Sequence, residues 1–196
     1  MHYHSPGGGY VQLMLTAGVR ESAFLEEKVA EFRLFLPTKA QIVPYKTAVR
    51  SSGKATTVLR FRVSTNKLRA VFNLLYPRGQ RRITSTVLEM LGGHAAGWLW
   101  AEGARPQPDG TYQLKRVGRH CDEAALTQNW LQTLTGAESR ILSSYTIPRL
   151  HFTAASAAKI RDALKPYAPQ SRMHLFTGET FDVSSIRGHR TELLHR

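Results

Sequence analysis

The sequence predicts an α+β fold made of two similar halves, a pseudo-dimer with antiparallel strands. An order of strand, helix, strand, strand, helix runs twice along the 196 residues. In the first run the last two strands are joined by the short turn Ser51-Ser52-Gly53, as antiparallel neighbours are. One feature breaks the symmetry. An apolar helix stands ahead of the second run, while only nine residues, rich in Gly, Pro and His, precede the first.

In the first half, Tyr10–Thr16 alternates like a strand. Glu21–Leu36 is an amphipathic helix with Phe24, Val29, Phe32 and either Phe35 or Leu36 on its apolar face. Gln41–Thr47 and Thr57–Ser64 form the strand pair, and Asn66–Tyr76 a helix stopped by Pro77 and Gly79. The second half opens with the apolar helix His94–Glu102 and a turn through Arg105-Pro106-Gln107-Pro108-Asp109-Gly110. Thr111–Val117 is a strand, and Asp122–Leu134 a helix with Leu126, Trp130 and Leu134 facing inward. Ser139–Ser144 and Arg149–Thr153 are strands, and Ala154–Leu164 is a helix stopped by Pro166. The expected division is 1–88, 89–176 and a basic tail 177–196.

Charge narrows the function. The formal net charge is +13, from 27 Lys+Arg against 14 Asp+Glu. Such an excess repels itself unless a polyanion offsets it, and nucleic acid is the expected partner. The charge is also segregated: residues 32–88 hold 12 Lys/Arg and no Asp or Glu. Cys121 is the single cysteine, so no internal disulfide forms and a reducing compartment fits. No apolar run reaches the ~18–20 residues that span a membrane, and the N-terminus has no apolar signal core. The expectation is an intracellular protein, cytoplasmic, organellar or phage-encoded.

Candidate chemistry centres on Ala95-Ala96-Gly97-Trp98-Leu99-Trp100-Ala101-Glu102-Gly103. This apolar helix delivers one carboxylate to its C-terminal end, where the helix dipole is already negative. A cation is therefore expected nearby. Mg²⁺ suits a hard oxygen ligand and, held against a phosphodiester, activates water. The plain alternative is a solvated helix-end glutamate. Asp109, the next nearest acid, is accounted for by its Asp-Gly turn.

Basic strands supply the candidate nucleic-acid contacts. On Thr57–Ser64, Arg60 and Arg62 share one face while Leu59, Phe61 and Val63 share the other. Tyr45, Lys46 and Arg50 are expected to continue that cationic face, and Arg81 and Arg82 are further candidate contacts. In the second half Gln113, Lys115 and Val117 are expected to alternate against Tyr112, Leu114 and Arg116, with Arg119 beyond. Such side chains contact phosphates and base edges, and a ribbon of strands fits the major groove. A solvated sheet face is the competing reading. The eight histidines show no HExxH or Cys/His zinc spacing, though His2 and His4 flank a possible weak metal-binding tail. Hydrolase triads, the P-loop and GxGxxG are absent from the sequence.

At this point the residues resemble a family. The run AAGWLWAEG is similar to the signature helix of LAGLIDADG homing endonucleases. FNLLYPRGQRRI (Phe72–Ile83) resembles the segment preceding the second motif in one subgroup, and Leu150–Phe176 resembles its closing strand, helix and KPYxP ending. The likeness covers roughly residues 10–176. It implies two αββαββα halves packed through their motif helices, with saddle-shaped sheets reading a long double-stranded DNA site. It implies a divalent cation, Mg²⁺ or another, held at Glu102 and Gly103, with Glu102 catalytic. This chain shows one such motif, and Gly7-Gly8-Gly9-Tyr10 resembles the region just after a first. The resemblance therefore implies a partner polypeptide or a second copy supplying the other helix. A non-catalytic relative binding DNA or, like a maturase, intron RNA is the alternative.

Overall fold

Alternation of apolar and polar residues builds two four-stranded antiparallel sheets of identical topology. The computed structural model describes residues 2–4, 10–47 and 56–178. Arg50, the Ser51-Ser52-Gly53 turn, Gly7–Gly9 and the tail from 179 onward lie outside the described residues. The chain divides into two units, Met1–Leu91 with Gly118–Thr127, and Gly92–Val117 with Gln128–Arg196.

The first unit contains β1 (His2–His4), β2 (Tyr10–Gly18), α1 (Ser22–Phe35), β3 (Ile42–Lys46), β4 (Thr57–Thr65), α2 (Arg69–Leu75) and α3 (Ser85–Glu89). Its sheet runs β1-β2-β4-β3. Leu15 stands opposite Phe61, which stands opposite Ile42, so one apolar row crosses three strands. Leu25 and Val29 of α1 close over that row, with Phe32, Leu59 and Val63 around it. Phe32 meets Phe61 edge-on at 5.7 Å between ring centroids, the geometry that aromatic quadrupoles favour. The end of α1 settles the choice left open by periodicity. Leu36 turns inward while Phe35 is 84% exposed.

The second unit contains α4 (Gly93–Gly103), β5 (Ala104–Pro106), β6 (Tyr112–Leu114), β7 (Arg140–Leu142), β8 (Arg149–Phe152), α6 (Ala154–Leu164) and α7 (His174–Thr177). Helix α5 (Cys121–Thr135) begins in the first unit and ends in this one. The sheet runs β5-β6-β8-β7, the same order as in the first unit. Ala104, Leu114, Leu150 and Ile141 form its apolar row. Trp100 of α4 is fully buried, stacked on Tyr112 and edge-on to Phe152, and its indole N–H donates to the Leu175 carbonyl at 3.2 Å.

Four differences from the sequence reading have physical causes. Ala104–Pro106, read as part of a turn, is an edge strand, where proline costs no ladder hydrogen bond. Ser85–Glu89, not foreseen, is a helix capped by Thr84 Oγ1, which accepts from the Val87 N–H at 3.3 Å. Residues 2–4, read as a loose tail, pair with Tyr10–Gln12. On α5 the buried line is Glu123, Ala124, Thr127 and Leu131, while Leu126 and Trp130 are half-buried and Leu134 is 38% exposed. Two polar residues displaced the apolar line because both are satisfied locally. Thr127 Oγ1 donates to the Glu123 carbonyl at 3.0 Å, and the Glu123 carboxylate accepts backbone N–H groups.

Among the described residues no helix is long and apolar enough to cross a membrane.

Candidate functional site

Helix α4 places its acid through two glycines at which a Cβ would press on backbone. A Cβ on Gly97 would lie 2.7 Å from the Tyr167 carbonyl oxygen, and one on Gly103 would lie 2.5 Å from the Lys115 carbonyl oxygen. The helix therefore approaches backbone directly at both points. The Lys115 N–H donates to the Gly103 carbonyl at 3.0 Å, fastening the helix end to the segment after β6. Arg105 Nη1 donates to the Glu102 carbonyl at 3.2 Å and the Ala104 carbonyl at 2.8 Å, satisfying acceptors that a helix C-terminus leaves open.

Glu102 is half-buried and meets a cation, as its position demanded. Arg116 Nη1 lies 3.1 Å from Glu102 Oε1. The chain reaches this contact by leaving the strand. β6 ends at Leu114, and Arg116 sits at φ 69, in the left-handed region. That turn corrects the expected alternation. Arg116 does not share a face with Tyr112 and Leu114: it is exposed, as is Lys115, while Val117 is buried. Among the described residues no three His, Cys, Asp or Glu side chains gather as a metal cluster. One carboxylate with an adjacent carbonyl suits a Mg²⁺ that draws its other ligands from phosphate and water. Asp109 is a turn residue: its Oδ1 accepts from the Thr111 N–H at 3.0 Å and hydroxyl at 2.7 Å, which hold its carboxyl below the usual range.

The second sheet presents a cationic face opposite its apolar one. Arg105, Gln113, His151 and Arg140 stand in register across all four strands. Arg149, two residues before His151, shares that face by alternation. Its Nη1 donates to Gln113 Oε1 at 2.9 Å, and its guanidinium lies 3.6 Å from the centre of the Tyr145 ring. Of this group only Gln113 was singled out from sequence. The signal for Arg149 and His151 was available, since they alternate with Leu150 and Phe152.

On the first sheet, Arg60 and Arg62 share the face opposite Phe61, Arg60 opposite Thr16 and Val43, and Arg62 opposite Met14. Tyr45 shares it too, with the Arg60 guanidinium 3.3 Å from its ring centre. Lys46 does not: it pairs with Thr57, on the alternation that carries Leu59 and Phe61. Neighbouring strand residues point to opposite faces, so Tyr45 and Lys46 cannot both continue one cationic surface.

Other candidates lie elsewhere. Arg82 Nη2 is 3.1 Å from Asp122 Oδ2, and its Nε is 3.6 Å from Glu123 Oε1. It belongs to a structural ion pair rather than to a sheet face. Arg81 and Arg119 are exposed outside any strand. The Arg119 backbone N–H donates to Glu123 Oε2 at 2.6 Å.

Comparison with known folds decides the architecture. The structure of the homing endonuclease I-WcaI bound to its DNA recognition sequence superposes with a TM-score of 0.68, covering 84% of this chain and 74% of that one at 10% identity. The chain has the LAGLIDADG homing-endonuclease fold. An I-DmoI variant in complex with its target DNA in the presence of 2 mM Mg superposes at 0.53, covering 78% and 79% at 13% identity. No family model and no curated protein matches the chain. The two sheets of like topology are the repeated units of the LAGLIDADG fold, and α4 precedes the second of them.

Proposed function

We propose that this chain binds double-stranded DNA through the outer faces of its sheets and hydrolyses phosphodiesters with a divalent cation held at Glu102. One observation carries the reading. The helix that bears Glu102 ends against the sheet whose outer face lines up Arg105, Gln113, His151 and Arg140. A phosphate backbone lying on that face is drawn by the cations, and Glu102 would hold the metal beside it with the Gly103 carbonyl.

When bound, Mg²⁺ lowers the pKa of water and neutralises charge on the phosphate. The chain does the rest. Gly97 and Gly103 seat α4 so that Glu102 occupies a fixed position. The guanidinium of Arg116 balances the carboxylate against the negative helix end, and Arg105 fixes the helix terminus.

Ala95, Trp98, Leu99 and Glu102 are all half-buried and recur at helical spacing, so they form one stripe of α4. The reading assigns that stripe to a second motif helix, which would bring the second acid.

Glu102→Gln tests the catalytic claim. It should abolish Mg²⁺-dependent nicking of plasmid while leaving DNA affinity within about two-fold, and equal nicking by both proteins refutes it. Nicking that rises with the square of protein concentration supports a second copy. A second reading, binding of DNA or intron RNA without cleavage, is favoured by the Arg116–Glu102 pair, since an ion-paired carboxylate is already neutralised. That reading requires no Mg²⁺ dependence, and competition by RNA separates its RNA-binding form from its DNA-binding form.

A further inference from the structure

Among the described residues, two arginines differ from the other cations on the sheets. The Arg60 guanidinium lies over the Tyr45 ring and that of Arg149 over the Tyr145 ring. Both arginines belong to the last strand of their unit's sheet by chain order, β4 and β8. Tyr45 lies in β3 and Tyr145 in the bend between β7 and β8, each ahead of that strand in the chain, and each arginine stands one residue before the apolar-row residue of its strand, Phe61 or Leu150. The same device therefore occurs once in each unit, at like places in the repeat. Among the described residues neither arginine meets a carboxylate. Arg82 and Arg116, by contrast, are spent on acids, and Arg105 on helix carbonyls.

We propose that Arg60 and Arg149 are the specificity-determining residues of the DNA interface, one per unit, each reading the edge of a guanine. The proposal rests on the duplex-binding reading above. The chemistry follows from shape. A guanidinium is a planar fork matched to guanine O6 and N7, the commonest specific contact in the major groove. Its weakness is the entropy lost in holding a long side chain still. The tyrosine ring removes part of that loss by holding the guanidinium in place before DNA arrives. For Arg149 the orientation is completed by Gln113, whose Oε1 takes one donor at 2.9 Å and leaves the others. For Arg60, Nε is buried without a hydrogen-bond partner, which leaves its terminal nitrogens as the donors. Gln113, Tyr45 and Tyr145 are positioning residues. Arg62 and Arg140 share the same faces with no described ring beneath them, and they contact phosphate.

Selection from a duplex pool with a randomised core, using the full chain, tests this. The wild type should show at least one guanine preference of roughly 10-fold or more for each arginine. Arg149→Lys keeps the charge and removes the fork. It should flatten one position while leaving affinity for an unrelated duplex within about two-fold. Gln113→Leu should flatten that same position, which a merely structural loss would not do. Arg60→Lys should flatten a different one. Unchanged preferences in the lysine variants, or a uniform loss across all positions, overturns the proposal. Wild-type binding with no base preference also overturns it while leaving the duplex reading intact. Failure of the wild type to retain any duplex overturns both.

Discussion

Arg116 Nη1 sits 3.1 Å from Glu102 Oε1, so the acid proposed to hold a metal is already faced by a cation. The two roles compete for one carboxylate. Arg116→Gln should therefore lower the Mg²⁺ concentration that gives half-maximal nicking, by a few-fold, while Glu102→Gln removes nicking at every concentration. The pair is worth little to the fold. Its side chains are 64% and 32% exposed, and such pairs contribute about 0–1 kcal/mol. A thermal midpoint close to wild type, with a shifted Mg²⁺ titration, is the expected result. A large loss of stability in Arg116→Gln would show that the contact is structural instead.

Gly97 and Gly103 make a sharper stability prediction. The obstacle at each is a backbone carbonyl, of Tyr167 and Lys115, which cannot rotate away as a side chain can. Gly97→Ala and Gly103→Ala should each destabilise by about 1–3 kcal/mol, the usual cost of overpacking. Urea unfolding reads this directly. Gly92→Ala is the control: a Cβ there meets nothing within 4 Å.

Glu123 is the buried charge on which pH should act. Its side chain is 2% exposed. Burial pushes its carboxyl up, but the N–H groups of Arg119, Ile83 and His120, with Arg82 beside it, outweigh that and hold it below the ordinary value. A carboxyl lowered on folding stabilises the folded state at pH above its unfolded value. That stabilisation is lost as pH falls through the lower, folded value. Stability of the wild type should therefore decline in acid, and Glu123→Gln should show a shallower decline. At neutral pH Glu123→Gln should cost about 2–4 kcal/mol, because buried donors lose a charged acceptor and Arg82 loses a partner.

The repeat was legible because both units obey the simple periods of strand and helix. Phe61 against Arg60 and Arg62 needed only alternation. The helix end at Glu102 was legible as an acid in an unfavourable place, which demanded a cation. The identity of that cation was not, because it depends on Arg116 adopting φ 69, and no alternation rule anticipates a left-handed arginine. Lys46 was misassigned by treating adjacent residues as one patch. The buried face of α5 was misjudged because Glu123 is polar by type and buried only through partners remote from any helical pattern, including Ile83. The ion pairs of Arg82 with Asp122 and Glu123 were not legible for the same reason.

Arg82 and Arg140 give a paired test of which cations meet nucleic acid. Both belong to the excess positive charge, yet their surroundings differ. Arg140 is exposed and in register with His151 and Gln113 on the outer face of the second sheet. Arg82 is held by Asp122 and Glu123. Each phosphate contact releases counterions, so losing one reduces the slope of log affinity against log salt by about 1. Arg140→Gln should lower duplex affinity at low salt and flatten that slope, with the thermal midpoint unchanged. Arg82→Gln should do the reverse: the slope stays and stability falls, because Glu123 remains buried with one cation fewer. Binding isotherms from about 50 to 200 mM salt separate the two. If Arg82→Gln flattened the slope and Arg140→Gln did not, the duplex would lie on the side of the first unit that carries the Arg82–Asp122 pair, and the sheet-face reading would fall.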